Sequence, residues 1–218
     1  MSPDKNALAK ILSNFEQEEL PNKTLLTEEG KMARKFYYLK KGVARGWLNN
    51  DGKEITFQFL FEGNFISSWE SLFYNSPSIY NIETIEPCTV YSTSIEDFRQ
   101  IIENNPDSKE LYYSYLQERL LKYQKLFISR IKDSAEERYN ELIKQSPEIF
   151  RRVPQYYIAS YLGITSVSLS RIRGKKNLIR DVLYIVTPWL FFTSAITKVL
   201  CVLPIESTEP NLLNTKSW

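Results

Sequence analysis

Near residue 94 the hydrophobic pattern changes its period, and the change splits the chain into a β-rich front and a helical back. From about 24 to 93 the sequence runs in short segments of aromatic and β-branched residues: FYYLKKG, VARGWLN, KEITFQFL, IYNIETI and CTVYSTS. Residues of this kind suit a pleated, half-buried surface, and turn residues separate the runs. Asn50-Asp51-Gly52 lies between two of them. An Asp-Gly step favours a tight hairpin, because glycine accepts positive φ without a steric clash. Gly42 and Gly63 mark further breaks. A small all-β roll or barrel is expected here. In front of it, residues 4–17 place Ala7, Leu8, Ile11, Leu12 and Phe15 on one helical face, with Asp4 as N-cap.

Behind the break the period is helical. Ser94 opens SIEDFRQIIENN with Asp97 three places on, close to a capping box, and Asn104-Asn105-Pro106 closes it. Residues 108–132 form the longest periodic segment. Tyr113, Leu116, Leu120, Tyr123 and Phe127 recur at spacings of 3, 4, 3 and 4, the period of a coiled-coil seam. Two readings fit: an amphipathic helix lying on its own domain, or a dimer helix. In the second, Leu111, Tyr115 and Leu121 pack on the roll while the seam faces a partner. Residues 134–145 make another amphipathic helix, with Ser134 as N-cap, Glu137 three places on, and Ser146-Pro147 as its stop.

Net charge is only +2, but it is unevenly placed. Residues 130–180 hold eleven Lys/Arg against five Asp/Glu, so the rest of the chain is net acidic. A basic module behind an acidic one is the asymmetry expected when one part touches a polyanion. Histidine is absent, which removes His-ligated metals, Ser-His and Cys-His catalysis and an imidazole switch. Cys88 and Cys201 are too few for an ordinary iron–sulfur cluster and suggest no disulfide framework, which fits a reducing cytoplasm. The first residues carry acid and lysine with no apolar run, unlike a signal peptide. With no P-loop, no GxGxxG and no metal-ligand cluster, the expectation is a non-enzyme with no catalytic residues, no cofactor and no metal.

The segment VPQYYIASYLGITSVSLSRIR, residues 153–173, carries the strongest local signal. Pro154 suits the first position of a helix, and Ile158, Ala159 and Leu162 supply its inner face. Gly163 follows where a sharp turn needs positive φ, and Thr165 caps a second helix. Val167 or Leu169, with Ile172, anchors that helix inward, leaving Ser166, Ser168, Ser170, Arg171 and Arg173 outside, with Lys175 just beyond. Small polar and cationic side chains on an exposed helix suit a DNA groove. Two ordinary packed helices would show the same pattern of apolar residues.

The order of parts, KKGVARGWLNNDGKEITFQFLFEGNFI, the Cys-Thr-Val strand at 88–90 and QYYIASYLGITSVSLSRIR together resemble the CRP/FNR family of bacterial transcription regulators. The resemblance covers about residues 5–175 and implies an α+β chain. Its parts are an N-terminal double-stranded β-helix (β-roll) effector domain over 1–106, a dimerisation helix over 107–132 and a helix-turn-helix DNA-binding domain over 133–176. It implies a homodimer on double-stranded DNA. Gln155 and Thr165 match phosphate-contacting positions, and Ser166, Ser168 and Arg171 match positions that meet base edges or backbone. Arg171 is the best candidate for reading guanine, with a phosphate clamp or an internal salt bridge as the alternatives. Many members begin the recognition helix with Arg-Glu or Glu-x-x-Ser; Ser166-Val167 stands here, so the target sequence should differ.

The effector pocket departs further. The family's cyclic-nucleotide binders use a Gly-Glu-Leu cassette and an arginine on the cyclic phosphate. Here Ser78 stands near the arginine's place, and no Lys or Arg occurs between Lys53 and Arg99. A buried cyclic phosphate would lack its cation, so no usual response to cyclic AMP or GMP is expected. Phe65, Trp69, Glu70, Ser78 and Tyr80 are the candidate pocket for an unknown small-molecule effector, although such aromatics are more often plain core. Residues 177–218 form an atypical tail, with 22 apolar-rich residues at 182–203 that carry one charge, Lys198. Three readings fit that stretch: an added packed element, a membrane or partner segment, and a tail from a shifted frame. A ligand-sensing roll that acts through protein or membrane contacts without DNA is the alternative function.

Overall fold

The computed structural model describes residues 5–174. The chain forms two compact units, residues 1–170 and 171–218, and only 171–174 of the second are described. Asp4, Lys175 and the 182–203 segment therefore lie outside the described residues.

Eight strands make the front of the chain: β1 Glu16–Leu20, β2 Leu25–Thr27, β3 Lys35–Lys41, β4 Ala44–Asn50, β5 Lys53–Leu60, β6 Phe65–Ile66, β7 Asn81–Thr84 and β8 Cys88–Ser94. They form two four-stranded sheets, ordered β1-β8-β3-β6 and β2-β7-β4-β5, and every pairing is antiparallel. The β4–β5 hairpin closes on Asn50 opposite Lys53, with Asp51 at φ 51° and Gly52 at φ 82°. Both central residues have positive φ, as a two-residue hairpin turn of matching twist requires. The Asn49 side chain adds an acceptor for the Gly52 N–H at 3.0 Å. Between the sheets, Leu39, Ala44, Leu60, Ile66 and Val90 are almost wholly buried and form one core.

A second core lies where helices cover the first sheet. Helix α1 (Lys5–Leu12), α3 (Ile95–Asn104) and α4 (Pro106–Lys132) enclose Ile11, Phe15, Phe36, Phe65, Phe98 and Tyr112. Phe36 and Phe98 stack with ring centroids 3.6 Å apart. Truncating either to alanine would cost about 3–5 kcal/mol, the usual loss for a fully buried aromatic. The first helix stops at Leu12, short of the expected residue 17. Glu16 and Gln17 belong instead to β1, an edge strand on β8. One flank of an edge strand meets water, so EQEEL is tolerated there without an apolar alternation.

The helix starts are capped, by the expected residues at Ser94 and Ser134 and, at Asn105, by one expected only as a stop. The Ser94 side chain accepts from the Asp97 N–H, and Asn105 accepts from the Ser108 N–H with Pro106 in the first turn of α4. At α5 (Ala135–Gln145) the capping box is complete: Ser134 accepts from the Glu137 N–H and Glu137 accepts from the Ser134 N–H. Two reciprocal bonds satisfy donors that a helix start otherwise leaves open. Short helices α2 (Trp69–Tyr74), α6 (Ile149–Arg152) and α7 (Gln155–Leu162) complete the set with names here, and a last helix spans 166–174. Among the described residues no helix is long and apolar enough to cross a membrane.

Candidate functional site

The helix-turn-helix is built from the inside outward. Ile158, Ala159 and Leu162 of α7 are 0–2% exposed, so its inner face is fixed by burial. Pro154 sits one place earlier than expected, at the N-cap. Its carbonyl accepts from the Tyr157 and Ile158 N–H groups, and Gln155 is then the first helical residue. Gly163 ends the helix at φ 69°, ψ 31°, and its N–H and that of Ile164 donate back to Ser160 and Ala159 carbonyls. Thr165 caps the next helix: its hydroxyl accepts from the Ser168 N–H at 3.1 Å. Leu169 is fully buried and is the inward anchor, whereas Val167 is 69% exposed.

Of the sequence-derived DNA candidates, Gln155, Thr165, Ser166, Ser170 and Arg171 are exposed, and Ser168 and Arg173 are half-buried. Two of the hydroxyls are engaged with each other, since Thr165 Oγ1 and Ser168 Oγ lie 3.0 Å apart. Thr165 thus serves its own helix start before any outside group. Ser166 and Ser170 stand on the surface beside exposed Val167.

An arrangement that the sequence did not announce fastens α6 and α7 to the roll. Arg45 on β4 is 1% exposed. Its Nε donates to Glu83 at 2.7 Å, its Nη1 to Thr56 at 3.2 Å and its Nη2 to Glu54. The guanidinium lies 3.6 Å from the ring centroid of Tyr157, on α7. Ser160, also on α7, accepts from the Thr56 N–H at 2.9 Å and donates to the Glu54 carbonyl at 3.1 Å. It thereby satisfies the open edge of β5. From α6, Arg152 donates to Glu62 at 2.6 Å and to Glu86 at 2.5 Å. Hydrogen bonding from Arg152 holds the Glu62 carboxyl down to about 2, against the opposing effect of burial. No local pattern marks these contacts, because each joins residues far apart in sequence.

Helix α4 divides the expected seam in two. Tyr113, Leu120 and Phe127 are 51%, 69% and 66% exposed, one heptad apart on one face. Leu121, Ile128 and Ile131 extend the exposed apolar area, so Leu121 does not join the line that packs on the roll. Leu116 and Tyr123 turn toward the roll instead: Leu116 packs on the second core, and the Tyr123 hydroxyl donates to Gln58 at 2.6 Å. Leu111 and Tyr115 pack on the roll as expected.

Of the candidate pocket residues, Trp69, Ser78 and Tyr80 are joined by hydrogen bonds, whereas Phe65 packs in the second core and Glu70 bonds to Ser68 instead. Phe65 and Tyr80 are buried. The Tyr80 hydroxyl accepts from the Trp69 N–H at 3.2 Å and donates to the Ser67 carbonyl at 3.3 Å. Ser78, near the family's arginine position, donates to the Tyr80 carbonyl at 2.7 Å. Glu70 accepts from Ser68, the N-cap of α2. Phe57 meets the Tyr80 ring edge-on inside the roll. Although no basic residue lies between Lys53 and Arg99, α4 brings one in. The Arg119 guanidinium lies 5.3 Å from the Trp69 ring centroid and is 9% exposed. It donates to the Tyr115 and Tyr123 hydroxyls at 2.8 Å each and to Gln58 at 3.2 Å. The readable signal was the spacing of four that puts Tyr115, Arg119 and Tyr123 on one helical face.

Comparison with known proteins fits this geometry. The cyclic nucleotide-binding domain family matches residues 17–105. Over 100 residues the chain is 33% identical to the cAMP-activated global transcriptional regulator CRP of Pasteurella multocida, covering 44% of this chain and 47% of that one. The CRP of Salmonella typhimurium is 31% identical over 98 residues, with the same coverage of 44% and 47%. The match thus spans about half the length of these relatives. Among solved structures, the c-di-GMP responsive regulator CLP of Xanthomonas campestris superposes with a TM-score of 0.62 at 19% identity, covering 83% of this chain and 94% of that one. FixK2 of Bradyrhizobium japonicum gives 0.59 at 17% identity, covering 75% and 85%. The β-roll thus carries the match to the cyclic nucleotide-binding domain family over residues 17–105, and the chain shares its fold with CLP and FixK2.

Proposed function

We propose that this chain is a sequence-specific DNA-binding transcription regulator that works as a homodimer and does not answer to cyclic AMP or GMP in the usual way. The observation that carries the reading is the turn at Gly163. A left-handed glycine, a Thr165 cap and a fully buried Leu169 set a short helix on the surface with Ser166 and Ser170 exposed. Helices with small polar residues and arginine enter the major groove closely enough to bond base edges. Gln155 and Thr165 are the proposed phosphate contacts, Arg171 the proposed base reader, and Ser168, Arg173 and Lys175 further proposed DNA contacts. The relatives from Pasteurella and Salmonella are transcriptional regulators by name, which supports the class.

The exposed stripe of Tyr113, Leu120 and Phe127 on α4 supports the homodimer. Two copies joined along it would present their reading helices to successive major grooves about 34 Å apart. The ligand reading rests on Ser78 and Tyr80. The first offers a hydroxyl already bonded to a carbonyl, and the second places a phenol inside the roll. Capture of genomic fragments on the full chain tests the function. A near-palindromic sequence should be enriched, and Arg171→Ala should lose that enrichment; fragments with no shared sequence would count against the reading.

A further inference from the structure

A cleft of about 800 Å³ opens between the outer side of β5 and helices α4, α5 and α7. It adjoins the roll interior through Arg119, which also faces Trp69, but Phe65, Trp69, Glu70, Ser78 and Tyr80 are not on its walls. Clefts of roughly 300–1,000 Å³ are of a size to take a small organic ligand. Three observations give this one a chemical preference.

The first is its charge. Arg119, Lys122, Lys125, Arg130, Lys132 and Arg138 line it, against the acids Glu118, Asp133 and Glu141, an excess of three positive charges. The second is an unanswered cation. Arg119 is only 9% exposed, and among the described residues its hydrogen-bond partners are all neutral: two phenols, Gln58 and Asn64. Among the described residues its Nε–H has no hydrogen-bond partner, and neither does the buried Nε–H of Arg138 on another wall of the cleft. A buried charge is expensive unless an opposite charge compensates it. The third is the apolar part of the wall, where Phe59, Tyr115, Tyr123 and Tyr161 present rings. At 3.6 residues per turn, Arg119, Lys122 and Leu126 lie about 100–160° around α4 from the line of Tyr113, Leu120 and Phe127. The cleft therefore meets the apolar area only at its border, where Ile128 belongs to both.

We propose that this cleft binds a ring-bearing organic dianion, with a terminal phosphate or a pair of carboxylates held by Arg119 and Lys122 and the ring set against the tyrosines. A dianion matches the charge excess better than a cyclic phosphodiester, which carries one charge. The site stands independently of any DNA contact, so its test uses the full chain without DNA.

Calorimetric titrations with GMP and with phthalate separate the phosphate and dicarboxylate sources. At least one should bind at one per chain, while guanosine and benzamide, which lack the charge, should give no saturable signal. Arg119→Gln should weaken the binding by about tenfold or more, as expected for loss of a charge-assisted hydrogen bond. The double variant Lys122→Gln/Lys125→Gln changes exposed side chains only and should weaken it by about threefold or more; it decides alone if Arg119→Gln fails to fold. No binding of either dianion, or an affinity unchanged in these variants, overturns the assignment.

Discussion

At position 163 any side chain must sit at φ 69°, ψ 31°. A Cβ built there meets nothing within 4 Å, so the demand is one of backbone conformation alone. Gly163→Ala should therefore lower stability by about 1 kcal/mol, with Gly163→Asn milder, as read from urea-unfolding midpoints. Glu62 offers a second test at this scale. Its carboxyl is lowered from 4.5 to about 2 through the Arg152 hydrogen bonds, so its stabilising contribution is present above pH 4.5 and lost as pH falls toward 2. Unfolding measured across that window should show a loss in the native chain that Glu62→Gln lacks. An identical pH profile would mean the Arg152 contact adds nothing to stability. Local residue roles such as the Ser94, Ser134 and Thr165 caps and the Asp51-Gly52 turn were legible, because each depends on neighbours a few places away. Arg45 and Arg119 were not. Both are buried by partners tens of residues distant, and nothing beside them in the chain says so.

The strands read correctly where their residues are aromatic or β-branched, as in β3, β4, β5, β7 and β8. Polar β1 shows no strand alternation and its Glu16 and Gln17 fall within the expected first helix, while two-residue β6 and six-residue α2 are too short to repeat a pattern. On α4 the 3-4-3-4 spacing located the helix but blended two faces. Tyr113, Leu120 and Phe127 keep the outward line, and Leu116 and Tyr123 follow the roll. The outward line carries the element's prediction. Leu120 is 69% exposed, so Leu120→Glu should leave the isolated fold intact and convert a dimer to monomers in sedimentation experiments. If the native chain sediments as a monomer at the same concentrations, the stripe does not hold two copies together.

At the scale of the whole molecule, an acidic roll and a basic helical region were apparent from the charge distribution, and the arrangement of β-roll, long helix and helix-turn-helix follows. What the sequence left hidden is how closely α6 and α7 are tied to the roll, through Arg152 with Glu62 and Glu86 and through Ser160 on the edge of β5. Those ties link the region proposed to touch DNA with the domain proposed to sense a ligand, and they make the roll a natural place from which to alter DNA affinity. The affinity for a captured genomic fragment, followed as salt is raised, tests the central claim most directly. Two chains per duplex should bind, log K should fall linearly with log salt because phosphate contacts release counterions, and Arg171→Ala should weaken the complex by about 1–3 kcal/mol. Binding that is flat in salt and indifferent to Arg171→Ala would contradict the account.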